Sequence, residues 1–275
     1  MAAAVMASAS VAVFAALLPT DVASATLADR AAALSWIIWI YTGTTAAVAV
    51  LVWFAVPEVD VRETYPDQEW SWAGVRRVLG MKAVWLQSVI VICAYVGYKA
   101  TDDFSLFARD AFGYDDVASA RIGTISFWVR PFAAVAAGLL GDRISASRGI
   151  MLSFGVLIVG ACAIAAGFLR PDMYWMIVGT VAGTSVGIYA LRGLYFALLQ
   201  QGRVPLMFTG SAVGLVSVVG YMPDVFMGPV TGWLLDRSPG ALGHQHVFAM
   251  VAGFGVLGLV ATAMFERVTK AEPAP

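Results

Sequence analysis

Seven ionisable side chains stand inside long apolar stretches of the chain: Lys99, Asp102, Asp103, Arg121, Arg130, Arg192 and Asp224. A charge at the centre of a lipid bilayer costs at least about 2.5–3.5 kcal/mol on insertion scales. Seven such costs together exceed a typical stability of about 5–15 kcal/mol. These residues must therefore face one another or water, and a wet chamber inside a helical bundle is the simplest common solution. Lys99, Asp102 and Asp103 recur at i, i+3 and i+4 and so share one helix face. They make either a self-neutralising patch near a helix end or a site for a proton or solute, because a carboxylate kept from bulk water can carry a proton. Arg130 and Arg192 come from different apolar stretches. Two guanidiniums in one cavity favour an anion held through paired N–H donors; the alternative is that Arg130 pairs with Asp224. Tyr98, Tyr189, Tyr195 and Tyr221 offer further hydroxyl donors or simply pack.

The elements that position these residues follow from composition. Of 275 residues, 60% are apolar and 13% charged, against about 25% charged in an ordinary soluble domain. A helix needs roughly 20 mostly apolar residues to cross about 30 Å of hydrocarbon. Eight stretches meet this: 1–20, 31–56, 83–109, 117–140, 149–169, 173–200, 207–235 and 244–265. They are helices, because in lipid each backbone group must be paired within its own segment. The fold class expected is an all-α membrane protein of about eight transmembrane helices. The first stretch reads as a retained helix, although Ala23 and Ala25 resemble a small-residue cleavage site.

The longest connection runs from Pro57 to Lys82 and divides the chain into three parts: two spans in 1–56, a linker over 57–82 and six spans in 83–270. Within the linker Trp70, Trp72, Val75, Val78 and Leu79 recur at helical spacing beside Arg76 and Arg77, the pattern of a helix lying on the membrane surface; an ordinary linker is the alternative. With the N-terminus inside, nine Lys and Arg fall in cytoplasmic loops or tail (Arg62, Arg76, Arg77, Lys82, Arg143, Arg148, Arg203, Arg267, Lys270), and four fall outside (Arg30, Arg109, Arg170, Arg237). The basic excess predicts cytoplasmic N- and C-termini in a plasma membrane.

The six later spans carry an internal echo. The fourth span of the chain ends Gly138-Leu-Leu-Gly-Asp142-Arg143, and the seventh ends Gly232-Trp-Leu-Leu-Asp236-Arg237. Both close the second helix of a three-helix set, one at each membrane face, which is the pattern of an inverted-topology repeat. Arg130 and Asp224 each lie twelve residues before the aspartate of their signature, about 18 Å along a helix and close to mid-membrane. Each adjoins a proline, Pro131 or Pro223. Gly179, Gly183 and Gly187 form a small-residue stripe that reads as close helix packing.

Other residue types point to no chemistry. Cys93 and Cys162 lie in apolar runs without paired spacing and read as small buried side chains. His244 and His246 sit two apart at a loop and are too few for a metal centre. No nucleophile elbow, zinc spacing or phosphate-binding glycine loop occurs, so no catalytic or metal-binding residue and no cofactor is expected. A net charge of −1 gives no reason to expect a nucleic-acid partner.

The segment Gly138–Arg148, GLLGDRISASR, resembles the loop signature of the major facilitator superfamily, in which Gly-x-Leu-x-Asp-Arg-x-Gly is followed by basic residues. Gly228-Pro229, Gly232 and Asp236 are similar to the end of that family's eleventh helix, and residues 57–82 look like its central cytoplasmic linker. The stretches RGLYFALL from Arg192 and GYMPDVFMGP around Asp224 resemble bacterial members grouped loosely with organic-anion or nitrate carriers. Two departures stand out. Ser145 occupies the signature's glycine position, and the eight spans correspond to the last two helices of one six-helix half plus the whole of the second. About four helices of the family's twelve are thus expected to be missing. The resemblance implies a rocker-switch carrier with a complete C-terminal six-helix bundle. Asp142, Arg143 and Arg148 would then belong to its cytoplasmic gate, with Gly138, Gly232 and Asp236 in the matching helix ends.

The function expected is a secondary active transporter of a small organic or inorganic anion, coupled to a proton or another ion, and not an enzyme. Lys99, Asp102, Asp103, Arg121, Arg130, Arg192, Tyr195, Tyr221 and Asp224 would serve substrate binding or coupling. The expected partners are the lipid bilayer, a small anionic solute and a coupling proton. The alternative is a non-transporting truncated membrane protein or assembly partner.

Overall fold

A computed structural model describes residues 2–19, 24–57 and 72–271. Every regular element among them is helical. In chain order the helices are α1 (Ala2–Leu17), α2 (Leu27–Ala55), α3 (Trp72–Leu79), α4 (Lys82–Lys99), α5 (Phe104–Phe112), α6 (Asp116–Ile144), α7 (Ala146–Ala165), α8 (Tyr174–Leu194), α9 (Leu198–Gln201), α10 (Thr209–Gly220), α11 (Pro223–Arg237) and α12 (Ala241–Ala271). A single tight turn of 3-10 helix, Ala100–Asp103, joins α4 to α5.

Among the described residues, seven segments are long and apolar enough to cross a membrane: Leu27–Ala55, Lys82–Phe112, Asp116–Ile144, Ala146–Ala165, Tyr174–Leu194, Thr209–Arg237 and Ala241–Ala271. The eighth expected span is the 16-residue α1, about 24 Å long and short of the hydrocarbon thickness. Two of the seven are interrupted. The expected span 83–109 tightens at Ala100–Asp103, and the expected span 207–235 breaks at Tyr221–Met222 ahead of Pro223. Proline at the first position of α11 has no N–H to offer α10, so the helix restarts there. The last span begins earlier than expected, at Ala241, which places His244 and His246 in a helix and corrects their assignment to a loop.

Local chemistry explains several helix ends. Thr26 and Asp29 cap each other at the start of α2. Asp115 accepts hydrogen bonds from the amides of Val117 and Ala118 and so starts α6. The joint from α6 to α7 is made by Ser145, at φ 135° and ψ 150°. That region of backbone space suits glycine almost alone. The residue that departs from the loop signature therefore stands where a glycine would be unstrained.

The core surrounds α4, whose Val84, Ile90, Val91, Cys93, Ala94 and Val96 are buried. Close approaches between helices are made through glycines. A methyl group at Gly187 of α8 would lie 2.7 Å from the Leu157 amide and 2.9 Å from the Ser153 carbonyl oxygen of α7. Gly160 of α7 faces Thr184 of α8 in the same way, and Gly255 and Gly258 of α12 receive Ile158 and Phe154 of α7. Of the expected glycine stripe only Gly187 packs tightly; Gly179 and Gly183 border an apolar groove of about 730 Å³ between α7 and α8. Cys93 is buried as expected, but Cys162 is exposed on the outer side of α7, because it faces away from the core that holds Ala161 and Ile164. On α2 only Ala33 is buried, and Trp36, Trp39, Trp53 and Phe54 face outward.

Of the expected surface helix in the linker, Trp70 lies outside the described residues. Over Trp72–Leu79 a helix is present. Val78 and Gly74 turn onto the bundle, Arg77 stands 5.6 Å over the Phe208 ring, and Trp72 points outward.

Replacing Ser145 by glycine removes the strain at the α6–α7 joint. Ser145→Gly is expected to stabilise the protein by about 1 kcal/mol, the lower end of the range for such backbone conformations, read as a raised midpoint of thermal unfolding in detergent. A lowered midpoint would contradict the strained geometry.

Candidate functional site

The helical repeat stacks Tyr95, Tyr98, Lys99 and Asp102 at i, i+3, i+4 and i+7 on one face where α4 gives way to its tight turn. Across from this face lies the break between α10 and α11, which presents Tyr221 and Asp224. The Tyr95 hydroxyl donates to Asp224 Oδ2 at 2.9 Å. Lys99 Nζ lies 2.7 Å from Asp102 Oδ2 and 3.7 Å from Asp224 Oδ1. One ammonium thus bridges two carboxylates drawn from two interrupted spans. Asp224 remains 51% exposed on its side chain, and Lys99 and Asp102 open onto a cavity. That cavity, about 250 Å³, is lined by Lys99, Asp102, Asp103, Met227, Thr231 and Leu235 among others. Asp102 also lines a second cavity of about 540 Å³ with Arg30, Arg109 and Asp116, where Arg30 Nη1 pairs with Asp116 at 3.0 Å.

Arg192 of α8 reaches the same cluster by a different chemistry. Its guanidinium carbon lies 3.9 Å over the Tyr98 ring and 5.5 Å from the centre of Tyr95. The negative face of an aromatic ring attracts a cation. No carboxylate pairs with Arg192 among the described residues, and its buried Nη1 has no hydrogen-bond acceptor there. A buried N–H without an acceptor costs about 1–3 kcal/mol, and more when charged. The tyrosines form a connected rack: Tyr95 to Tyr98 at 5.2 Å between centroids, Tyr95 to Tyr221 at 4.7 Å and Tyr98 to Tyr189 at 6.4 Å. The Tyr195 and Tyr221 hydroxyls lie 3.3 Å apart. Gln87 steadies this corner by donating to the Tyr195 carbonyl at 2.8 Å.

Several expected residues fall elsewhere. Arg130 does not pair with Asp224; it stands 5.8 Å over the Tyr189 ring and so joins the rack at Tyr189. Arg121 is exposed on α6 and meets none of the cluster. Asp103 does not share the face of Lys99 and Asp102, because the 3-10 helix has about three residues per turn, which stacks Asp102 under Lys99 and swings Asp103 about 120° away. It is buried and lies 2.7 Å from Nδ1 of His244, a residue whose partner could not be read from its own surroundings. Gly138, Asp142 and Arg143 close α6, and Gly232 and Asp236 close α11. Because α11 ends beside the start of α12, which touches Asp110 of α5, the two signatures lie at opposite ends of the bundle, as an inverted repeat requires. Asp142, Arg143 and Arg148 are exposed and make no ion pair among the described residues.

Interrupted spans with ionic side chains at their breaks, inside an all-helical bundle, define a membrane-transporter-like fold. The chain superposes with a TM-score of 0.57 on a bacterial homologue of the iron transporter ferroportin in an outward-facing state, at 11% identity, over 93% of this chain and 59% of that one. Among curated proteins it is 24% identical over 258 residues to the inner membrane protein YqcE of Escherichia coli K12 and 24% identical over 239 residues to the inner membrane protein YihN of the same organism. These alignments take in 90% and 84% of this chain, but the chain spans only 60% and 56% of those proteins. No family model matches the sequence. Together with the seven apolar helices, the inner-membrane relatives make this a multi-pass protein of the plasma membrane.

The Lys99–Asp224 contact can be measured without any ligand. A double-mutant cycle with Lys99→Met and Asp224→Asn, read by unfolding in detergent, is expected to give a coupling of about 0.5–1 kcal/mol, as for partly exposed pairs. A coupling of zero would mean that the two groups do not meet.

Proposed function

We propose that the protein is a secondary active transporter of major facilitator type, which moves a small organic or inorganic anion by alternating access with proton coupling. The orphan donor of Arg192 carries this reading. A guanidinium fixed on two tyrosine faces, with no carboxylate paired to it among the described residues, is a receptor for an acceptor-bearing anion. Lys99 adds a second cation nearby, Tyr95, Tyr195 and Tyr221 add hydroxyls, and Arg130 extends the positive wall beyond Tyr189.

The carboxylates suit coupling. Asp224 and Asp102 compete for Lys99, so protonation of either one would release the ammonium toward the other or toward a bound anion. The breaks at Ala100–Asp103 and Tyr221–Met222 supply joints about which half-helices can tilt. In this reading residues 1–56 belong to a first bundle, 57–82 form a cytoplasmic linker and 83–270 form the second bundle. In this reading both termini lie in the cytoplasm, which the excess of Lys and Arg in the inner loops supports. Asp142, Arg143 and Arg148 act at the cytoplasmic gate.

One observation favours a second reading. The outward-facing aromatic residues of α2 suit a membrane protein that serves as an assembly partner without transporting anything.

Purified protein in liposomes, preloaded in turn with small carboxylates, phosphate, sulfate and nitrate, is expected to show counterflow of at least one anion. Arg192→Gln should slow that counterflow by about 10–100-fold, the equivalent of one charged hydrogen bond, and Arg130→Ala should slow it less. Wild-type rates in Arg192→Gln would remove the anion site. Folded wild-type protein that moves none of these anions would favour the assembly role.

A further inference from the structure

Outside the tyrosine rack, one fully buried titratable side chain has no place in the reading above. His244 lies in the first turns of α12 with 0% of its side chain exposed. Nδ1 faces Asp103 Oδ2 at 2.7 Å, and Nε2 faces Asp110 Oδ2 at 3.4 Å. The Phe107 ring covers one side at 5.6 Å between centroids. Asp103, from the tight turn, and Asp110, from α5, are the titratable groups that act on the imidazole. Asp103 is 5% exposed and Asp110 30%, and the other oxygen of Asp110 meets Arg109 Nε at 3.0 Å.

The proton count of this arrangement is constrained. A neutral imidazole carries one N–H and one lone pair. With a carboxylate oxygen at each nitrogen, one of the two contacts then sets a lone pair against an anion. Both contacts become hydrogen bonds only when the group holds one more proton. With that proton on the ring, His244, Arg109, Asp103 and Asp110 sum to zero charge. Without it they leave a net negative charge beside a buried ring, which is costly. Position adds direction. Asp110 lies two residues from the end of α5, while Asp103 lines the cavity shared with Lys99 and Asp102. Asp103 and Asp110 are seven residues apart, about 10 Å along one helix face, and His244 spans the gap.

We propose that Asp103, His244 and Asp110 form a buried one-proton site that opens to the bundle end through Asp110 and to the ionic cavity through Asp103. In transport it would hold the coupling proton; only that use rests on the reading above, and proton binding stands apart from it.

The chain has two histidines, and His246 is exposed, so His246→Gln leaves a single imidazole to observe. With 15N-labelled histidine in this variant, in micelles at pH 7, both ring nitrogens are expected to carry protons. Asp110→Asn, at the more accessible carboxylate, is expected to convert the ring to a single N–H, and Asp103→Asn to do the same wherever that variant folds. A neutral, single-tautomer ring in the parent would overturn the proposal, and so would a doubly protonated ring unchanged in Asp110→Asn. The measurement needs no substrate, so a failed anion assay leaves it standing and a neutral ring leaves the anion site standing.

Discussion

A charge within a bilayer has to find its partner inside the protein, and the whole candidate site follows from that constraint. Lys99 answers it by binding two carboxylates, Asp224 by adding the Tyr95 hydroxyl, and Arg192 by lying on two tyrosine rings. These answers differ in what they leave over. One lysine is shared by two aspartates, and only with Arg192 does the charge of the four sum to zero. Among the described residues Arg192 rests on ring faces, which weakly satisfy a cation but accept no directed hydrogen bond from its buried Nη1. The cluster therefore holds a buried donor without an acceptor among the described residues beside one ammonium shared by two carboxylates, and that donor is what supports the proposed anion site.

The breaks in α4–α5 and α10–α11 serve the same constraint. Irregular backbone at membrane depth is tolerated only where it is buried in protein or lines a wet cavity. Both breaks here border the ionic cluster, and Asp102, Asp103 and Asp224 stand at them. At the first break the ionic side chains and the irregular backbone of Ala100–Asp103 line one cavity.

Much of this was legible in the sequence because hydropathy and helical periodicity report depth and spacing well. The spans, the ionisable residues within them and the matching helix-end signatures at Gly138–Arg143 and Gly232–Arg237 all follow from one dimension. Partner choice does not, because it depends on how each helix is rotated about its axis. Arg130 and Asp224 share a depth yet do not meet, since Arg130 turns toward Tyr189. Asp103 leaves the face of its neighbour Asp102 for the same reason. His244 was hidden by a helix start three residues earlier than hydropathy suggests. A signal was present all the same: Asp103 and Asp110 sit one heptad apart, and the chain's two histidines, His244 and His246, open the last apolar run. The serine at position 145 read as a departure from a motif; only the backbone angle shows that the site still asks for glycine.

The glycine seams between α7, α8 and α12 have a mechanical consequence. Where Gly187 admits the Leu157 backbone, and Gly255 and Gly258 admit Ile158 and Phe154, there is no slack for one helix to slide along another without collision. These three helices would act as a chassis, with displacement falling on the broken backbone of the helices that bear the ion pairs. Arg192 rides on the chassis, while Lys99 and Asp224 sit at the joints. A rearrangement of the bundle would then change the distance from guanidinium to ammonium directly, like the jaws of a vice of which one is bolted to the bench.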